Sequence, residues 1–125
     1  MQEPIRRLPD SELEVMQALW ACEPPTARAE IEARIRAHRP IAQTTVLTLL
    51  TRLSEKGFLK IEKVGRSSVY TPLVTRRAYL SAQSRSFVQK LFGGSMPAFA
   101  AALCDSGLSR DELAQLRELL ERDAL

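Results

Sequence analysis

Histidine occurs once in this chain of 125 residues, cysteine twice and asparagine not at all. With a single His, no CxxC pair, no HExxH and no glycine-rich phosphate loop, the usual constellations for metal binding, nucleophilic catalysis and nucleotide binding are missing, which argues against an enzyme and implies no cofactor. Cys22 and Cys104 stand 82 positions apart, too few and too distant for a disulfide framework or a metal knuckle. Both fall in apolar helical patterns, where a free Cys behaves as a small hydrophobe. Long apolar runs are also missing. No window approaches the ~18 residues of a membrane span, and Arg6, Arg7, Pro9 and Asp10 near the start leave no room for a signal-peptide core. These absences predict a cytoplasmic domain without membrane insertion.

What is present is charge of one sign in one place. The whole chain carries only +3, yet from Arg28 to Arg66 nine basic residues outnumber four acidic ones. From Arg76 to Lys90 there are four bases and no acid, whereas from Asp105 to Leu125 six acids face three bases. Such segregation suits an N-terminal nucleic-acid-binding part followed by a module of another kind, although a solvated basic face produces the same arithmetic.

The hydrophobic pattern divides the chain further. Leu13, Val15, Met16, Leu19 and Trp20 recur at helical spacing from about Ser11 to Ala21, with Ser11 and Glu14 in the form of a capping box. Pro24 and Pro25 break this run. Thr26 then predicts the cap of a second helix bearing Ala27, Ile31 and Ile35 on one face, with Arg28, Glu30, Glu32, Arg34 and Arg36 elsewhere, ending before Pro40. A third helix places Val46, Leu49, Leu50 and Leu53 on an apolar side and Thr45, Thr48 and Arg52 on a polar one, and Gly57 closes it. Phe58 to Val64 alternates apolar and polar, Gly65-Arg66-Ser67 reads as a turn, and Ser68 to Thr71 follows, so the pattern predicts a hairpin.

Three helices and a hairpin are the order of a winged helix-turn-helix, in which the third helix packs on the first two and projects Thr44, Thr45, Thr48 and Arg52 outward. Threonines on a helix face are also ordinary solvated side chains. Here their helix leads directly into the basic turn, and that adjacency favours recognition. Beyond Pro72, Thr75 caps a helix with Ala78, Tyr79, Ala82, Phe87, Val88 and Leu91, ending at Gly93-Gly94. Pro97 opens a short Ala-rich helix from Ala98 to Cys104, and Ser109 to Glu112 forms a capping box before a stripe of Leu113, Leu116, Leu119 and Leu120. About fifty residues of this kind bury too little apolar surface to stand alone, so homodimerisation through Tyr79, Phe87, Leu91, Leu113, Leu116 and Leu120 is expected. Folding of these helices back onto the N-terminal part is the alternative. The fold class is therefore mainly α with a small β-hairpin wing: a winged helix-turn-helix domain at 1–74 and a helical dimerisation domain at 75–125.

The stretches Leu8-Pro9-Asp10-Ser11-Glu12-Leu13-Glu14-Val15-Met16, Thr45 to Gly57 (TVLTLLTRLSEKG) and Gly65-Arg66-Ser67-Ser68-Val69-Tyr70-Thr71-Pro72 together resemble the penicillinase-repressor family of bacterial transcriptional regulators, with its BlaI, MecI and CopY relatives. The resemblance implies a homodimeric repressor of antibiotic-response type whose partner is a dyad-symmetric double-stranded DNA operator. It places the recognition helix at about Gln43 to Lys56, with Gln43, Thr44, Thr45, Thr48, Arg52 and Lys56 as DNA-binding residues and Arg66 at the wing tip. Relatives with Lys or Pro near the helix start differ from Gln43 and Thr44 here, which leaves base preference open. Copper-responsive members carry paired C-terminal cysteines, which this chain lacks, so no metal is expected. In the beta-lactam-responsive members a membrane sensor-protease pathway leads to cleavage between an Asn and a Phe. The matching bond here is at about Ala102-Leu103, and with no Asn in the chain the family's cleavage signal does not carry over unchanged. A reading of a different class is a winged-helix protein–protein adaptor without DNA binding, which would have no need of uncompensated Arg52, Lys56, Lys60, Lys63 and Arg66.

Overall fold

A computed structural model describes residues 5–123; the expected N-terminal arm is thus seen from Ile5, and the last two residues of the expected dimerisation domain lie outside the described residues. The elements run α1 (Asp10–Trp20), β1 (Thr26–Ala27), α2 (Arg28–Arg36), α3 (Gln43–Glu55), β2 (Leu59–Val64), β3 (Ser67–Pro72), α4 (Arg76–Phe92), α5 (Met96–Asp105) and α6 (Arg110–Asp123). Two compact units result, Met1–Gln83 and Ser84–Leu125, with α4 contributing to both.

In the first unit the apolar stripes close on one another as their spacing predicts. Val15, Met16 and Leu19 of α1, Ile31 and Ile35 of α2, and Val46, Leu49, Leu50 and Leu53 of α3 are buried together with Leu8, Phe58 and Leu59. Gly57, at φ +80°, takes the left-handed conformation that ends α3, and the Phe58 N–H returns to the Leu53 carbonyl at 2.9 Å. β2 and β3 then pair from Leu59↔Pro72 to Val64↔Ser67, leaving Gly65 and Arg66 as a two-residue turn. Gly65, at φ +63°, supplies the backbone conformation such turns favour at their first position.

Several local expectations are corrected. The first helix starts at Asp10 behind Pro9, and Ser11 makes no capping bond; Glu14 instead binds the Arg39 guanidinium. Thr26 does not cap α2. It is buried as β1, opposite Tyr70 in a third strand on β3, and its hydroxyl donates to the Glu23 carbonyl at 3.0 Å. Ala27 is exposed as the residue before α2 and not part of its apolar face. Glu32, placed off the apolar face of the second helix, is buried, and so is Glu12. Tyr79 belongs to the core of the first unit: it is 3% exposed, stacks near Trp20 and Phe58, and its hydroxyl accepts the Leu8 N–H at 2.9 Å. Its ring fills a hole beside the winged helix, so it is not available to an exposed dimerisation stripe. Cys22 is buried but receives Arg34 Nε at 3.1 Å, while Cys104 is exposed, so neither sits in a purely apolar setting.

The predicted caps of α4 and α6 form. The Ser109 hydroxyl accepts the Glu112 N–H and Glu112 Oε1 accepts the Ser109 N–H, at 3.1 and 2.9 Å. The Thr75 hydroxyl accepts the Ala78 N–H at the start of α4, and Ser95 caps α5. Phe87, Phe92 and Phe99 form an edge-to-face trio with centroids 5.5 to 6.2 Å apart. None of its described residues is fully buried, and Phe87, Leu91, Leu116, Leu119 and Leu120 are all exposed.

Candidate nucleic-acid interface

Because α3 commits one side to the core, its opposite side is fixed in space. Gln43, Thr44, Thr45, Thr48 and Arg52 are all exposed along it. The helix starts at Ala42 without a side-chain cap and has no acidic residue in its first turn, so its N-terminal N–H groups and the positive end of its dipole face outward uncompensated. Thr48 donates its hydroxyl proton to the Thr44 carbonyl at 2.9 Å, and Thr51 does the same to Leu47. What Thr48 presents outward is therefore acceptor lone pairs and a methyl group.

Charge sorts the cations around this face. Lys56 is held by Glu12, a buried residue of α1, and Lys60 pairs with Glu62 at 3.0 Å. Lys56, expected to bind DNA, is thus already neutralised by an acid 44 residues earlier in the chain. Among the described residues Arg52, Lys63 and Arg66 have no ion-pair partner. Arg66 sits at the exposed hairpin tip.

A side chain not foreseen stands at the start of α3. Arg28, the first residue of α2, places Nε 2.9 Å from Glu32 Oε1, and Arg36 Nη1 lies 3.6 Å from Glu32 Oε2. The outer edge of the Arg28 guanidinium faces Gln43, and with the amide assigned so that its oxygen points inward, that oxygen accepts from Nη1 and Nη2 at 2.8 and 2.9 Å. That orientation is the one in which the amide finds partners; the reverse would set its NH₂ against two other donors. The i,i+4 spacing of Arg28 and Glu32 was legible in the sequence, but nothing in it brought Arg28 to a residue fifteen positions on.

On β3, Tyr70 is 3% exposed and its phenol is pushed up from the usual tyrosine range, first by burial and further by Glu32, while Arg28 opposes the shift. The residues expected to mediate dimerisation lie apart from this face in sequence: Phe87, Leu91, Leu116 and Leu120 are exposed in the second unit and Leu113 is half-buried. At the expected cleavage region Ala102 is exposed and Leu103 half-buried, both within α5. Among the described residues no cluster of His, Cys, Asp and Glu could hold a metal, and no helix is long and apolar enough to cross a membrane.

The chain matches the model of the penicillinase repressor family over residues 8–122. It is 30% identical to the penicillinase repressor of Bacillus licheniformis over 118 residues, spanning 94% of this chain and 91% of that protein. To the methicillin resistance regulatory protein MecI of Mammaliicoccus sciuri it is 30% identical over 113 residues, spanning 90% and 91%. The solution structure of the Bacillus licheniformis BlaI monomeric form in complex with the blaP half-operator superposes with a TM-score of 0.51 at 32% identity, over 63% of this chain and 94% of that one.

Proposed function

The chain belongs to the penicillinase repressor family, a family of transcriptional repressors and not of enzymes, and on that premise we propose that it represses transcription by binding operator DNA through α3 and the β2–β3 wing. The observation that carries the reading is the face of α3: five exposed polar side chains, the unpaired Arg52 among them, an uncapped N-terminus free of acids, and the unpaired cations Lys63 and Arg66 on the hairpin that follows. A helix of this kind enters a major groove with its N-terminal residues leading, while a wing arginine meets phosphate or the adjacent minor groove. In this reading Gln43, Thr44, Thr45, Thr48 and Arg52 meet DNA from α3 and Arg66 from the wing. Lys56 contributes field but is tied to Glu12.

The active species is a homodimer on a dyad-symmetric operator. The second unit supports this, because its exposed Phe87, Leu91, Leu116, Leu119 and Leu120 need a covering surface of like character. The BlaI complex with a half-operator is that of a monomeric form, and two copies joined by a two-fold axis would occupy two half-sites with far greater affinity than one. Release of repression by a membrane sensor-protease pathway completes the reading, with cleavage in α5 at about Ala102-Leu103 separating α6 from the rest. Gly93 and Gly94 before α5 and Gly107 after it all hold positive φ, and few side chains pin this helix, which favours local opening.

Footprinting of the full-length protein on the DNA upstream of its own gene tests the central point. Two protected half-sites in inverted repeat are expected; no protection at low salt would overturn DNA repression. Following the chain by mass spectrometry during derepression in the host tests the last step, with fragments ending between Ala98 and Cys104 expected and an intact chain counting against cleavage.

A further inference from the structure

We propose that Arg28 fixes the amide of Gln43 so that this residue reads an acceptor-only base edge, guanine before thymine, and rejects adenine. The inference rests on the DNA-binding reading and sets the base preference at one position within it.

A free glutamine is ambivalent. Its oxygen accepts and its NH₂ donates, a pair that matches adenine N6 and N7, and this is the usual pairing of Asn or Gln in a major groove. In this chain the oxygen is not free. Both Nη atoms of Arg28 donate to it, at 2.8 and 2.9 Å, which uses the two lone pairs of the carbonyl. The guanidinium is kept near by charge: its Nε lies 2.9 Å from Oε1 of Glu32, a side chain only 7% exposed, in an ion-pair contact that is not aligned as a hydrogen bond. Glu32, Arg28 and Gln43 thus form a chain from the interior of the first unit to the first residue of α3. Its outer end carries two N–H donors and no acceptor.

The consequence follows from the donor and acceptor pattern of the bases. Guanine offers N7 and O6 in the major groove, both acceptors, and thymine offers O4. Adenine shares the N7 acceptor but sets its N6 donor beside it, and cytosine presents its N4 donor, so in each an N–H meets the NH₂ of Gln43 where guanine offers O6. Turning the amide over to suit adenine would break both bonds to Arg28 and set the amide NH₂ against the guanidinium donors. Arg28 is thereby a positioning residue for sequence readout, although it needs no base contact of its own.

The test uses the full-length chain and a random pool of double-stranded DNA. Sequences enriched by the unsubstituted protein and by Gln43→Ala identify the base pair whose preference depends on Gln43; this residue is exposed, so the substitution leaves the core intact. Affinities for all four bases at that position are then measured for the unsubstituted protein, Arg28→Met and the double variant Arg28→Met/Glu32→Met, which removes the buried carboxylate together with its partner. The unsubstituted protein is expected to prefer guanine over adenine by at least about fivefold, the scale of one good base contact. Replacing that guanine by 7-deazaguanine should remove part of the preference. Both Arg28 variants should level or reverse it in favour of adenine while leaving other positions unchanged. Preference for adenine or cytosine by the unsubstituted protein, no position dependent on Gln43, or an unaltered guanine preference in both Arg28 variants would each overturn the inference and leave DNA binding standing. A pool in which nothing is enriched overturns the DNA-binding reading and the inference with it.

Discussion

The phenolic hydroxyl of Tyr79 accepts the backbone N–H of Leu8 at 2.9 Å, joining the first helical turns of α4 to the segment that precedes α1. Trp20 Nε1 donates to the Val74 carbonyl at 2.9 Å a few residues away, and Gln83 Nε2 to the Ile5 carbonyl at 3.2 Å. The start of α4 is therefore part of the winged-helix core, and the natural end of that unit is Gln83 and not residue 74.

Tyr79→Phe leaves the Leu8 N–H buried without a partner, which costs about 1–3 kcal/mol. Urea unfolding should show that loss with an unchanged slope. A chain ending at Gln83 should fold as a monomer, while one ending at Thr75, without the Tyr79 ring, should be less stable by about 3–5 kcal/mol or fail to fold. Equal stability of the two truncations would contradict this assignment.

Dimerisation through the second unit predicts that Leu116→Asp, on an exposed apolar stripe, shifts the full-length protein toward monomer without lowering helix content. Sedimentation at micromolar concentration reads the change. A full-length, unsubstituted protein that is monomeric there would remove the dimer from the proposal.

Lys56 and Arg52 lie one helical turn apart but should behave differently. Lys56→Met strands the buried Glu12 carboxylate and should destabilise the fold by about 1–3 kcal/mol. Arg52→Ala should leave the melting temperature nearly unchanged and weaken operator binding by about 1–3 kcal/mol. Thermal melts beside titrations with operator DNA separate the two effects.

Arg66→Ala should lower affinity almost equally for all sequences and flatten the dependence of log K on log salt by about one unit. An unchanged slope would take the wing off the DNA.

Tyr70 predicts an alkaline limit. Burial raises its phenol in the folded chain above the unfolded value of about 10, so the stabilising contribution of the neutral ring is complete below that pH. As pH rises past it the unfolded chain ionises first, and stability falls until the folded-state pKa is also passed. Denaturant titrations between pH 8 and 11 should show this decline to be smaller in Tyr70→Phe.

Local periodicity determined much of this protein. The stripe Val46, Leu49, Leu50, Leu53 and its polar counterface, the alternation before Gly65-Arg66, and the Ser109-Glu112 box each specify an element from neighbours within a few positions, and tertiary packing agreed with them. Family resemblance was legible for the same reason, being carried by contiguous stretches. What packing alone decided involves partners far apart in the chain. Thr26 had the look of a helix cap until Tyr70 offered a strand to pair with, and Tyr79 had helical spacing with Phe87 but found its hole beside Trp20 and Phe58. Glu12 met Lys56 across 44 positions, and Arg28 met Gln43 across fifteen. A charge in a linear pattern says only that it must be solvated or paired; which partner neutralises it, and hence which cations remain to attract DNA, is settled when helices α1, α2 and α3 bring their buried faces together.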